Sequence, residues 1–240
     1  LAPAQPYLQE IRQAGDLASL VALFPKAGIP SLVSASVTVD DKDPNSYAVS
    51  IGFDGMGLPD RDYYLVDSER NLEIRERYKD YLAFLLGKAG YQDAEATADA
   101  VYRFEHQVAE LEWDRTALRN NDITYNKLTR DEVLALAPAF PTARLLDAAQ
   151  YAHVQEFLLA QVPPTEQEIA ELGLTPDFVA GIGGGTPAMM KLLAETPLET
   201  LKAFMAARFL SAHAAVLPSE IDQTNFAFYG TFLQGQEEQR

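Results

Sequence analysis

Cysteine is absent from this 240-residue chain. Its absence excludes disulfides, cysteine-ligated zinc and thiol catalysis. Positive charge is scarce: 19 Lys and Arg stand against 35 Asp and Glu, a formal net charge of −16. Such a field repels polyanions, and no Lys/Arg cluster offsets it, so no nucleic-acid partner is expected. No apolar run reaches the ~18 residues of a membrane span. The longest candidate, "AFMAARFLSAHAAVLP", is interrupted by Arg208. The nucleophile pattern G-x-S-x-G is missing. No fixed-period repeat and no Gly-, Ser- or Pro-rich linker divides the chain, so residues 1–240 are expected to form one domain. The chain begins at Leu1 without a charged-then-apolar leader, which reads as processing or truncation.

What is present is a globular composition, 48% apolar and 22% charged, with helix start signals spread along it. "TRDE" at Thr129–Glu132, "TEQE" at Thr165–Glu168 and "TPLE" at Thr196–Glu199 fit the capping box, in which a threonine hydroxyl and a glutamate satisfy orphan amides. Thr186-Pro187 and Thr196-Pro197 place proline where the first helical residue needs no amide. Residues 69–89 carry Ile74, Tyr78, Tyr81, Leu82, Leu85 and Leu86 at helical spacing and end near Gly87–Gly90. A long helix is predicted over about 93–119, with Val101, Phe104, Val108, Leu111 and Leu118 on its inward face. A third, over about 197–216, is apolar on several sides and is expected to be central. One stretch alternates instead: "SLVSASVTVD" (31–40) and "YAVSIGFD" (47–54), joined by the turn material "DKDPNS", predict a β-hairpin with a loop longer than two residues. The fold class expected is mainly α, with one small β-hairpin near residues 31–54.

Three stretches invite a chemical reading. In "EHQVAELEW" (105–113), His106 and Glu110 stand one helical turn apart. A zinc-peptidase helix needs two histidines four apart, with a glutamate beside the first. One imidazole and one carboxylate are too few donors for catalytic zinc. His153 and His213 lie in separate segments. The stretch therefore reads as the exposed side of a core helix, with Val108, Leu111 and Trp113 turned inward. "GIGGGTP" (181–187) lacks the lysine of a P-loop and a complete GxGxxG, and reads as a flexible loop between helices, most mobile at Gly183–Gly185. "RDYY" (61–64) follows a sharp turn set by Gly55, Gly57 and Pro59. It is expected to lock that turn onto a neighbouring helix through buried tyrosine hydroxyls and an ion pair.

Taken in order, "GLPDRDYYL", "RERYKDYLAFLLGKAG", "LEWDRTALRNNDITYNKLTRDEVLALAPAF", "TPLETLKAFMAARFL" and "NFAFYGTFLQGQEEQR" resemble the amino-terminal domain of M13 family metallopeptidases, the neprilysin-like and PepO-like zinc endopeptidases. The resemblance runs from about Leu8 to Arg240. "PPTEQEIAELG", within about 154–185, departs from it and reads as an insertion. The resemblance implies a helical lid over a carboxy-terminal catalytic domain, the two enclosing a cavity that admits oligopeptides. Zinc, and the HExxH helix that holds it, would belong to that other domain, and this chain would hold no cofactor and no catalytic residue. Arg61, Tyr63, Tyr64, Arg119, Tyr125 and Asn126 are the candidates for lining the cavity or meeting the catalytic domain. The partners expected are that domain and oligopeptide substrates. Animal members of the family tend to use disulfides, so the resemblance together with the absence of cysteine implies a bacterial member; such members are often exported, which makes a periplasmic or cell-envelope location the expectation. The alternative is a stand-alone helical interaction module without peptidase activity.

Overall fold

The computed structural model describes residues 1–26 and 28–237. The last three residues of "FYGTFLQGQEEQR", 238–240, lie outside the described residues. The chain opens with α1 (Gln5–Gln13) and α2 (Leu17–Val21), then forms β1 (Val33–Asp40) and β2 (Asp43–Phe53). Next come α3 (Asp62–Leu65), α4 (Glu69–Ala89), α5 (Ala94–Leu111), α6 (Arg115–Leu118) and α7 (Asn121–Thr124). β3 (Asn126–Thr129), α8 (Arg130–Leu136), α9 (Thr142–Ala148) and β4 (Glu156–Leu159) follow. The last third holds α10 (Glu166–Glu171), α11 (Pro176–Ala180), α12 (Gly185–Glu195), α13 (Leu198–Ala212) and α14 (Ser219–Asn225), which runs into a π-helical segment, Phe226–Leu233. The fold is mainly α, as expected.

The strongest helical patterns form as read. The Ser68 side chain caps α4 by accepting from the Asn71 amide, and Gly90 closes it at φ +90°, a conformation that costs glycine little. All six apolar residues expected on its inner face are buried. α13 is central: it packs on α1, α4 and α5, and its buried residues surround the axis. Lys202 lies buried along its stem while its ammonium reaches Glu199 at 2.9 Å.

Several boundaries differ from expectation. α5 stops at Leu111, not near residue 119, because Asp114 caps a new helix by accepting from the Ala117 amide. Trp113 turns into a separate small cluster with Ala117 and Ile123, against which Leu118 packs, while Leu111 is only half-buried. Thr129 and Thr165 form their capping boxes, but Thr196 does not. Its hydroxyl donates back to the Leu192 carbonyl, and Pro197 takes the cap position of α13. Pro187 stands third in α12, still within the first turn, where its amide would have no helical partner.

The sheet is larger than one hairpin. Its order is β1-β2-β4-β3, with β4 parallel to β2 and antiparallel to β3. The hairpin turn is also tighter than predicted. Asp40 pairs with Asp43, and β2 absorbs most of "DKDPNS". Asp40 is buried there and accepts hydrogen bonds from the Lys42 amide and the Tyr125 hydroxyl. The local Lys42 amide and the Tyr125 hydroxyl, 85 positions away, together hold the turn. Phe157, Leu158 and Leu159 of β4 are buried, so residues just before the apparent insertion belong to the core.

Candidate functional site

The densest polar site is built around a residue the sequence reading passed over. Glu105 stands between Val101 and Val108 on the inner stripe of α5 and is fully buried. A carboxylate at a core-face spacing is the signal that could have found it. Glu105 Oε2 accepts from the Tyr64 hydroxyl at 2.6 Å and the Gly57 amide at 3.3 Å, while Oε1 accepts from the Tyr78 hydroxyl at 2.9 Å. The Tyr64 oxygen in turn accepts from the amides of Gly57 and Leu58. Tyr229, on the π-helical segment, donates to the Gly57 carbonyl at 2.8 Å. The network thus pins the 55–60 turn to α3, α4, α5 and the last helical segment.

Burial decides the electrostatics. It pushes the Glu105 carboxyl up to about 7, with the tyrosine hydroxyls, the Arg208 charge and the Gly57 amide partly offsetting it. Burial, then the Glu105 charge, raises Tyr64 and Tyr78 well above the ordinary phenol value. Arg208 opposes this accumulation from α13 and pairs with Asp54 at 3.3 Å. With the carboxylate ionised, every donor in the network has an acceptor. Glu105 is fully buried, and through these bonds it holds the turn in place.

The six candidate residues fall into three places. Arg61, Tyr63 and Tyr64 share the turn beside Glu105. Arg61 Nη1 donates to the Glu112 carbonyl at 2.5 Å, Arg75 Nε donates to the Tyr63 carbonyl at 2.7 Å, and Tyr64 is the buried hydroxyl of the network. The expected lock is present, but its ion pair runs from Asp60 to Arg115 on α6, not through Arg61. Glu112 is raised to about 6 by burial and by Asp60, and lowered by Arg61. Tyr125 and Asn126 sit at the sheet. Tyr125 holds Asp40, and Asn126 Nδ2 donates to the carbonyls of Ile123 and Leu159. Arg119, at the end of α6, is exposed.

The glycine loop is packed, not loose. The Trp113 indole donates to the Gly183 carbonyl at 3.0 Å, a Cβ on Gly183 would run into the Leu111 carbonyl, and Gly185 holds φ +62° against Gln161. His106 sits on the outside of α5 with Nδ1 3.5 Å from Glu110, and His213 Nδ1 lies 2.9 Å from the Phe209 carbonyl. Among the described residues no group of three or more His, Asp or Glu side chains converges as a metal site would require. The described residues do not fit a catalytic zinc. Among the described residues no helix is long and apolar enough to cross a membrane.

Comparison with known proteins adds the context. A family model described as Peptidase family M13 matches residues 1–240. Endothelin-converting enzyme 1 of Rattus norvegicus is 31% identical over 121 residues, 49% of this chain and 16% of that protein. Human endothelin-converting enzyme-like 1 is 28% identical over 119 residues, 49% of this chain and 15% of that one. The fold is shared with Mycobacterium tuberculosis zinc metalloprotease Zmp1 in complex with an inhibitor (TM-score 0.81, 24% identity) over 100% of this chain and 34% of that one. It is shared also with PepO from Lactobacillus rhamnosis (TM-score 0.68, 18% identity) over 99% of this chain and 35% of that one. The chain spans about a third of the length of the solved structures it matches.

Proposed function

This chain belongs to peptidase family M13, and from that premise we propose that it is the amino-terminal, non-catalytic lid of a zinc metalloendopeptidase that hydrolyses oligopeptides. The observation that carries this is the match of the whole chain, in family and in fold, to about a third of a zinc metalloprotease. On this reading zinc is held outside these residues, since no donor set among the described residues fits it. The lid selects substrates by enclosure: a peptide enters, a folded protein does not. Arg119, exposed at the end of α6, and the Arg61–Tyr63 turn are the positions offered to the cavity or to the catalytic domain. Tyr64, Tyr125 and Asn126 act through the backbone and side chains they hold. The net charge of −16 favours basic peptides wherever it faces the cavity. A periplasmic or cell-envelope location belongs to the same proposal, because it follows from reading the chain as a bacterial member of the family.

The test is to read the native coding frame past Arg240 and to assay its product. The expected frame continues for a few hundred residues and encodes HExxH with a later glutamate ligand. Its product cleaves short peptides and spares folded proteins, whereas residues 1–240 supplied with zinc cleave neither. A frame that stops at once, or zinc-dependent cleavage by residues 1–240, overturns the proposal.

A further inference from the structure

α14 does not end as an α-helix. After Asn225 it widens into the π-helical segment Phe226–Leu233, where backbone bonds span five residues instead of four. The π-helix is rare and mostly occurs as a single turn inside an α-helix. Eight residues of it call for a cause outside the helix.

Tertiary contacts supply that cause. At the start, the Asn225 side-chain amide donates to the Tyr81 hydroxyl at 2.6 Å and the Ser211 hydroxyl at 3.2 Å. Four residues on, the Tyr229 hydroxyl donates to the Gly57 carbonyl at 2.8 Å, from 172 positions away. The Phe228 ring stacks on Tyr81 with centroids 5.3 Å apart, and Arg70 donates to the Phe232 carbonyl at 2.5 Å. Yet Asn225, Phe228, Tyr229 and Phe232 stand at the i, i+3, i+4, i+7 spacing of an ordinary α-helical face. The sequence therefore supports the narrower register as well.

Gly230 bears on the choice. A Cβ there would stand 2.5 Å from the Phe226 ring, four residues back. In an α-helix, Cβ atoms four positions apart are about 5–6 Å from each other, and a phenylalanine and an alanine coexist there. The π form needs glycine at 230, and the α form does not. Gly57 joins the segment to the turn: its carbonyl takes Tyr229, while its amide faces Tyr64 and Glu105. A narrower helix rotates Tyr229 about the axis and carries its hydroxyl away from Gly57.

We propose that Phe226–Leu233 is a switch of helical register, π when the 55–60 turn is docked and α when it is released, with the Tyr229–Gly57 bond as the coupling. Arg61 and Tyr63 directly follow that turn, so a partner that moves them also resets the helix, and the helix biases the turn by the same free energy. This goes beyond the lid reading and does not depend on it. Its failure leaves that reading intact.

The experiment is NMR on the deuterated intact chain, reading amide-to-carbonyl couplings across hydrogen bonds in residues 230–233 and amide exchange at Gly57 and Leu58. The parent chain is compared with Tyr229→Phe, which keeps the ring, and with Gly230→Ala, which meets only Phe226. The expected parent couplings run five residues back. In both variants they run four back, and exchange at Gly57 and Leu58 rises about tenfold. Couplings four back in the parent chain, or five back in either variant, overturn the proposal. A register change in Gly230→Ala without faster exchange at Gly57 overturns the coupling, because that substitution reaches the turn only through the helix. An equal rise at Leu82, buried within α4, marks general destabilisation and overturns it too.

Discussion

The Tyr64 hydroxyl donates a 2.6 Å hydrogen bond to Glu105 Oε2 from 41 positions away in the sequence, while its oxygen accepts from the amides of Gly57 and Leu58. One phenol thus connects a buried charge to the backbone of a turn. The stability of the 55–60 turn therefore depends on the ionisation and identity of Glu105.

The pH dependence follows from the raised carboxyl. Its folded value, about 7, lies above the ordinary glutamate value of 4.5, so between these pH values the folded state binds more protons than the unfolded state. Stability therefore falls as pH rises through this window and levels off above it, by about 3 kcal/mol from this group. Glu105→Gln carries no such proton. Urea unfolding at pH 5 and pH 8 is expected to show the variant gaining on the parent chain as pH rises. A difference that stays constant between the two pH values counts against the assignment.

Glu105→Ala leaves the Tyr64 and Tyr78 hydroxyls and the Gly57 amide without their acceptor. A loss of roughly 3–5 kcal/mol is expected in chemical unfolding near neutral pH.

Gly57 is tight for a different reason: a Cβ there would land on the Tyr78 hydroxyl. Gly57→Ala is expected to cost about 2 kcal/mol or more. Combining it with Tyr78→Phe should cost less than the sum of the two changes, because the clashing oxygen is gone. Strict additivity in a double-mutant cycle would show that the clash is relieved elsewhere.

The single tryptophan gives a local probe of the second cluster. Trp113→Phe removes the bond to the Gly183 carbonyl and is expected to cost about 1–2 kcal/mol. Gly185→Ala forces a side chain into φ +62° and against Gln161. It should shift Trp113 fluorescence towards the unfolded value at denaturant concentrations that leave the helical signal of the main core unchanged.

The capping threonines should separate by position. Thr129→Ala loses a capping box on a helix that buries Val133, and should cost about 1 kcal/mol of global stability. Thr165→Ala loses the same box on α10, which buries nothing, so hydrogen exchange should report local fraying without a shift in global unfolding. Equal global losses at the two sites would contradict this division.

How far the fold was legible varies by element. α4 could be read to its ends because its apolar spacing, its serine cap and its closing glycine all lie within the same 23 residues. The end of α5 was missed because Asp114 was read as part of a long periodic stretch, when an aspartate favours a cap over a helix interior. β4 escaped because four residues carry too little alternation to register. The glycine loop looked mobile because glycine is permissive in isolation, whereas its neighbours, Trp113, Leu111 and Gln161, come from elsewhere in the chain. At the site, His106 drew attention as a familiar metal-ligand type, while the buried group was its neighbour Glu105.

The sequence by itself determined the helical class, the main amphipathic faces and the capping boxes at Thr129 and Thr165, because those signals act within a few turns of one helix. Only the tertiary structure decided that Glu105 is buried with two tyrosines, that Asp40 closes the hairpin against Tyr125 from 85 positions away, and that β4 joins β2 to β3 in one sheet. Burial and pairing are set by what the rest of the chain brings to a residue, and no local pattern encodes a neighbour that distant.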